Sequence, residues 1–483
     1  MKITFVIPPV FTGERPAERT AGCTTMVYPM INIYELTVAA ILENEGYTVC
    51  YEDFVTTRRS TDMFGRFLAQ DTSDMYIIWS VNLSIKNDVA ASEQIRRHAP
   101  AAYIVYAGPA PTYYARHFLQ DDRQIAVRGE PEETVGELCR LIVGKQSWRE
   151  VRGISFLDGR QAEVRHNPPR ALLKELDSLP FPARHLVDRR LFSNPKLKRS
   201  PYTAMVTSRN CPFHCIYCVP SSLTFARELE YRAGTGKKPP VSMRSPENVV
   251  AEIDLLAAEG YRAIGFMDDN FITSEKRLAP IAAALRRHGI AWGCQARADA
   301  ITADIARILG ESGCGYVDLG VESFDDEILK YIRKGLTHRQ IVDAIGHLNR
   351  CRVPVKLNIL IGTSPLETEA SVRETLDTAI RLHASQVMIN IAAPFPGTEF
   401  HRLAMENHWI EGGEYVPTDV QHHSILSYPG LSGRKMEKLL FRYNLRFFLR
   451  PGFIWSHIRR FSSFSEFWKA CRALKNKLTR SGR

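Results

Sequence analysis

The chain has 483 residues, a formal net charge of +10, 45% hydrophobic and 24% charged residues. This composition is ordinary for a globular protein of about two to four domains and excludes wholesale disorder, a collagen-like fibre and a polytopic membrane protein. The charge is local: residues 431–483 hold 14 Lys and Arg against 2 Asp and Glu, which also argues against a protein that coats nucleic acid along its whole length.

Residues 1–145 alternate short apolar strands with amphipathic stretches. Strands are predicted at Ile3–Ile7, Thr48–Tyr51, Met75–Ser80, Tyr103–Ala107 and Gln124–Val127, and helices at Ile33–Glu45 and Lys86–His98. A β-α-β-α rhythm with wholly apolar strands predicts a doubly wound parallel sheet. In such sheets ligands sit beyond the carboxyl ends of the strands. The loops there carry Pro8-Pro9, Val81-Asn82-Leu83, Gly108-Pro-Ala-Pro-Thr112 and Arg128-Gly129-Glu130-Pro-Glu132. No G-x-G-x-x-G follows the first strand, so a dinucleotide's phosphate cradle is missing.

Residues 146–200 read as a connector. It opens on Arg152–Leu157 and Gln161–Arg165 around the turn Asp158-Gly159, and Pro168, Pro169, Pro180 and Pro182 then break it. A second alternation spans 201–400. Its strands are predicted at Tyr202–Thr207, Ala263–Met267, Ala291–Gln295, Tyr316–Gly320, Val355–Ile361 and Gln386–Ile391. Helices are predicted at Pro246–Glu259, Leu278–His288, Ala303–Ser312, Asp325–Lys334, Arg339–Cys351 and Glu369–His383. Six βα units predict a partial (β/α)6 barrel with its site at the strands' carboxyl ends. Ser221–Val241, rich in charge and Gly, reads as a lid or a disordered stretch. Residues 401–483 read as a helical region ending in a basic, aromatic tail.

Ten cysteines are present, and seven are scattered singly, as small buried hydrophobes are. The other three form Cys211-Pro-Phe-His-Cys215-Ile-Tyr-Cys218 after the first strand of the second region. Three thiolates at this spacing can converge on one soft metal site, either zinc with His214 or a remote ligand, or an iron–sulfur cluster. A [4Fe–4S] cluster ordinarily takes four cysteines, so three would leave one iron open.

A C-x3-C-x2-C loop with Tyr217 before its last cysteine, opening a partial barrel, resembles the radical S-adenosylmethionine (SAM) superfamily. The resemblance implies a [4Fe–4S] cluster on Cys211, Cys215 and Cys218, with SAM chelated by the open iron and cleaved to a 5′-deoxyadenosyl radical. It also implies SAM contacts from Tyr217, from Asp268 and Asp269 after the second strand, and from Arg297 after the third. Glu322 and Ser323 after the fourth strand, Lys334 twelve residues beyond Glu322, and Asn358 on the fifth complete the set. A helix N-cap for Asp268 and Asp269, and a solvated helix end for Lys334, are the alternatives. No other catalytic residue is singled out.

A doubly wound domain ahead of the barrel resembles the cobalamin-binding branch of that superfamily. Gly129-Glu-Pro-Glu-Glu-Thr134 and Leu176-Asp-Ser-Leu-Pro-Phe-Pro182 carry that likeness, which covers about residues 1–400. It divides the chain into a cobalamin-binding Rossmann-like domain (1–145), a connector (146–200), a radical SAM partial barrel (201–400) and a helical C-terminal region (401–483). It implies cobalamin contacts at Pro8, Pro9, Asn82, Gly108, Thr112, Gly129 and Glu130. The Asp-x-His-x-x-Gly motif is absent, and the histidines of this domain, His98 and His117, read as surface residues, so no cobalt ligand is named.

The reaction implied is methylation of an unactivated carbon of a hydrophobic small molecule. The alternative is a non-methylating cyclisation or ring rearrangement on a tetrapyrrole or polycyclic lipid; an alternative of another class is a cofactor-binding module without turnover. The partners implied are a small-molecule substrate and an electron donor such as flavodoxin or ferredoxin, with nucleic acid disfavoured. The chain begins on a strand-like run with no basic leader, and no run of about 18 apolar residues is present, so a cytoplasmic location is expected. Ten aromatics interleave with the basic residues of 431–483. Peripheral membrane contact through 441–478 is one reading of that pattern; packing of the aromatics on the barrel is the other.

Overall fold

In a computed structural model the described residues are 1–450 apart from 22, 23, 27, 160–162 and 383. Strands β1 (Lys2–Ile7), β2 (Thr48–Asp53), β3 (Met75–Trp79), β4 (Tyr103–Ala107), β5 (Gln124–Val127), β6 (Ile154–Asp158) and β7 (Glu163–His166) form one sheet in the order β2-β1-β3-β4-β5-β6-β7. The first five pair parallel. The strands β6 and β7 extend the sheet antiparallel, so it runs on into the segment expected to be a connector. Of the expected strand Gln161–Arg165, residues 161 and 162 lie outside the described residues.

The strands read as unbroken apolar runs because both faces are covered. Ile3, Phe5, Ile77, Trp79 and Val105 join a core on one face, and Val6, Tyr76, Ile78, Ile104 and Tyr106 a core on the other. The strand order reverses at β1, so the crevice between the ends of β1 and β3 is where a doubly wound sheet takes its ligand.

A second sheet comprises β8 (Tyr202–Met205), β11 (Ala263–Phe266), β12 (Ala291–Ala296), β13 (Cys314–Glu322), β14 (Val355–Ile361) and β15 (Gln386–Ile391), in the order β15-β14-β13-β12-β11-β8. A two-stranded ribbon, β9 (Ser208–Arg209) with β10 (Ser242–Met243), follows β8. Six strands with intervening helices form the open sheet of βα units expected from the alternation. On β14 the odd positions Val355, Leu357, Ile359 and Ile361 are buried, while Lys356, Asn358 and Leu360 stay partly open. That alternation gives the strand one face packed by helices and one face free for chemistry.

The chain divides into two compact units. The first holds Met1–Pro212, Val219–Ala296 and Arg307–Tyr316; the second holds Phe213–Cys218, Arg297–Ala306 and the chain from Val317 onward. The first sheet lies wholly in the first unit, and β13 begins in the first unit and ends in the second.

Two expectations are corrected. Ser221–Val241 is not disordered at its centre: Ser222–Thr235 is a helix, buried from Ser222 through Leu229, and it ends on Gly236 in the left-handed region. The location expected from the sequence, cytoplasmic with membrane association as one reading of the tail, is also corrected. Among the described residues no helix is long and apolar enough to cross a membrane. The helix Gly433–Phe448, which carries the start of the tail, buries Met436, Leu439, Leu440, Tyr443 and Phe447 in the second unit instead of presenting them outward. Tyr443 and Arg446 bond Asp377 of the helix Glu369–Arg381. Residues 451–478 of the tail lie outside the described residues.

One buried carboxylate makes the first unit sensitive to pH. Glu35, in the first turn of the helix Ile33–Asn44, accepts the Tyr51 hydroxyl at 2.7 Å and the Trp79 N–H at 3.2 Å. Burial pushes its carboxyl up from 4.5 to about 7, against the pull of Tyr51 and Arg19. A folded value above the unfolded one means that the folded state binds the proton more tightly. This stability is present below the unfolded value and is lost as pH rises through about 7. Glu35→Gln is therefore expected to be more stable than the wild type by about 1–3 kcal/mol near pH 8, with a smaller gap near pH 5. Denaturant midpoints at the two pH values check this, and an equal gap at both would remove the titration.

Candidate functional site

The cysteine loop follows β8 and β9 and runs into the helix Ser222–Thr235. Cys211, Cys215 and Cys218 are half-buried and carry no disulfide. The turn is closed by the Cys218 N–H on the Cys215 carbonyl at 3.3 Å. Ile216 anchors it in the second unit: its N–H donates to the Ile332 carbonyl at 3.2 Å, and its carbonyl accepts the Phe400 N–H at 3.0 Å. The donor set is all thiol, which fits a soft iron–sulfur cluster better than a hard ion. As the side chains stand, no three His, Cys, Asp or Glu among the described residues are grouped closely enough to hold a metal ion.

In the second unit several expected residues meet beside this loop. Lys334 Nζ lies 2.8 Å from Glu322 Oε1 and 3.3 Å from the Tyr217 hydroxyl, and both charged side chains are buried. Burial lowers the Lys334 pKa, but Glu322 and Cys215 more than offset it and hold the ammonium charged. Glu322 ends β13 at φ +66°, after a register shift between Gly320 and Glu322. A left-handed non-glycine residue persists only where its surroundings fix it, and here the buried ion pair does so. Arg297 donates to the Lys334 carbonyl at 2.7 Å and stacks its guanidinium 3.3 Å from the Phe213 ring centroid. Phe213 was not singled out from the sequence; the stacking partner that gives it a role is 84 residues away.

Ser323 is placed differently. Its hydroxyl pairs with Thr375 at 3.2 Å and caps the Asp325 N–H, so it ties strand to helix. Asn358 lies on the open face of β14. Beyond that strand Glu367 gathers the N–H groups of Gly362, Thr363 and Ser364, and the Tyr428 hydroxyl donates to the Gly362 carbonyl at 2.9 Å.

In the first unit Asp268 accepts the Thr207 N–H at 2.6 Å and its hydroxyl, joining the ends of β8 and β11. Asp269 accepts the Ser221 N–H at 2.7 Å, and burial pushes its carboxyl up to about 6. Neither aspartate starts a helix as an N-cap; Ser274 caps the helix Glu275–Arg287.

The loops of the first sheet carry the remaining candidates. Pro8 and Pro9 follow β1, and Asn82 opens a 3-10 turn after β3. Gly108 follows β4 at φ +102°, and a Cβ there would stand 2.6 Å from the Ser80 carbonyl, so only glycine fits. Thr112 Oγ accepts the Gly129 N–H at 3.2 Å, drawing the loops after β4 and β5 together. The Glu130 carboxylate is engaged by Arg209 and by the Leu173 N–H. His98 and His117 are exposed.

Residues 205–379 match the radical SAM superfamily. An uncharacterized methyltransferase of Pyrococcus horikoshii is 27% identical over 93% of each chain. The anaerobic magnesium-protoporphyrin IX monomethyl ester cyclase of Synechocystis is 26% identical over 66% of this chain and 61% of its own. The radical SAM methyltransferase TsrM of Kitasatospora setae, solved with cobalamin and a [4Fe-4S] cluster, aligns at TM-score 0.64 and 16% identity over 84% of this chain and 74% of that one. The cobalamin-dependent radical SAM enzyme OxsB aligns at TM-score 0.70 and 16% identity over 99% and 71%. The chain thus carries a radical SAM catalytic domain. Taken whole, with its Rossmann-like sheet in front, it has the fold of the cobalamin-binding radical SAM enzymes.

Proposed function

We propose that this protein is a cobalamin-dependent radical SAM enzyme that functionalises an unactivated carbon of a small molecule. The observation that carries the reading is the all-thiol loop after β8, within the segment that matches the superfamily. Cys211, Cys215 and Cys218 hold a [4Fe–4S] cluster, which when bound supplies the electron that cleaves SAM. Lys334 offers a buried positive charge to a carboxylate, and Glu322 offers acceptor oxygens to ribose hydroxyls. Tyr217, Arg297 and Asn358 line the same site, and Asp269 offers a carboxylate to an amino group. Pro8, Pro9, Asn82, Gly108, Thr112 and Gly129 give a loop edge at which backbone approaches cobalamin closely. A reduced flavodoxin or ferredoxin delivers the electron.

Two fates of the substrate radical are open to this site. Methyl transfer is supported by the likeness to named methyltransferases, and ring closure or rearrangement by the likeness to the Synechocystis cyclase. The case for a greasy substrate weakens, because the apolar side of Gly433–Phe448 is covered by protein. The test is anaerobic incubation of the reconstituted protein with SAM, cobalamin and a reductant, followed by mass spectrometry. 5′-Deoxyadenosine is expected, with a product one CH2 heavier for methyl transfer or unchanged in carbon count for cyclisation. An intact cluster that forms no 5′-deoxyadenosine would leave a binding module without turnover.

A further inference from the structure

A buried ionic cage stands directly before the cysteine loop, inside the first unit. Glu130 and Glu132, in the turn after β5, grip one guanidinium: Arg209 Nη1 donates to Glu130 at 2.6 Å and Arg209 Nη2 to Glu132 at 2.5 Å. Arg227, on the helix Ser222–Thr235, lies 3.1 Å from the same Glu130 oxygen and donates to Asn210 Oδ1 and to Ser242 Oγ. Asn210 Nδ2 donates to Glu228 at 2.8 Å, and Lys238 lies 3.4 Å from that carboxylate. The side chains of Arg209, Arg227, Glu130 and Glu132 are all at most 8% exposed.

At the centre of the cage Asn210 holds φ +68°. Such a backbone is costly for most non-glycine residues; asparagine tolerates it better than most, and a fixed side-chain amide holds it there. Both ends of the Asn210 amide are held by the cage, and the next residue is Cys211. A left-handed residue turns the chain sharply, so its φ sets the direction in which Cys211 leaves β9.

We propose that Glu130, Glu132, Arg209 and Arg227 are positioning residues for the cysteine loop: they lock Asn210 left-handed and so aim Cys211. This rests on the reading that Cys211 is a cluster ligand. It separates Glu130 from the ligand-facing role that its loop suggests, since its carboxylate serves the cysteine side. Residues that orient metal ligands from behind are worth roughly 10–100-fold in affinity or activity when lost.

The test compares the electron paramagnetic resonance spectrum of the reduced cluster in reconstituted full-length wild type, Arg209→Lys, Asn210→Ala, Asn210→Gly and the double variant Arg209→Lys/Asn210→Gly. Circular dichroism shows which variants are folded. Arg209→Lys keeps the charge but loses the fork, and Asn210→Ala removes the grip; each is expected to shift the spectrum and lower 5′-deoxyadenosine formation about tenfold. Glycine adopts the left-handed region without a cage, so Asn210→Gly is expected to keep the wild-type spectrum and to restore it in the double variant. If Arg209→Lys and Asn210→Ala fold and give the wild-type spectrum, the proposal is overturned. It is equally overturned if the double variant stays shifted, because the cage would then act elsewhere than on residue 210. If only the Asn210 variants fold, Ala against Gly decides alone. A wild type with no cluster signal instead overturns the reading beneath it.

Discussion

Replacing any one of Cys211, Cys215 and Cys218 with alanine is expected to reduce 5′-deoxyadenosine formation to background and to lower bound iron in the reconstituted protein. Three protein thiolates already leave one iron of a [4Fe–4S] cluster without a protein ligand, and a second open iron exposes the cluster to loss. Alanine at Cys50, Cys139, Cys294, Cys314 or Cys351 is the control. Cys139, Cys294 and Cys314 are buried, and none of the five stands in the loop. These variants are expected to retain iron, though the three buried positions lose some stability. Iron retention in all three loop variants would refute the ligand assignment.

Lys334→Met is expected to cost about 3–5 kcal/mol of stability, because it strands the buried Glu322 carboxylate without its partner. The double variant Lys334→Met/Glu322→Gln is expected to recover most of that loss, since two neutral side chains leave no buried charge. SAM cleavage is expected to stay lost in both, so stability and activity part company. Equilibrium denaturation read beside 5′-deoxyadenosine formation checks this. A double variant no more stable than Lys334→Met would show that the pair is not the source of the cost.

Much of this was legible in the sequence because it is local. β14 and β15 appear at their expected bounds, Val355–Ile361 and Gln386–Ile391, since each is a short stretch of Val, Ile and Leu with polar residues at alternate or edge positions. The cysteine spacing and the glycines after β4 and β5 were readable for the same reason. What escaped depends on distant partners. The helix Ser222–Thr235 looked like a loop because Arg227, Glu228 and Glu230 sit among its residues. Their charges are neutralised by Glu130, Lys238 and Arg128, and no periodicity displays such a partnership. β13 was expected over Tyr316–Gly320 and runs over Cys314–Glu322, because its irregular end is stabilised by Lys334. The aromatic tail offered two readings, and only the covered face of Gly433–Phe448 decides between them for its first part.

The anchoring of Ile216 has a consequence for biosynthesis. Its two backbone partners, Ile332 and Phe400, are translated long after it, the second by roughly 180 residues. At about 5–20 residues per second the ribosome needs roughly 10–40 s to supply them. During that interval the three thiols hang from a nascent chain whose covering segments do not yet exist. They are then open to oxygen and to adventitious zinc. If these thiols hold the proposed cluster, maturation in the cell is a race between the loading of iron and sulfide and the arrival of the last third of the polypeptide. Slowing translation downstream of the loop should change the yield of loaded protein without changing its amino-acid sequence.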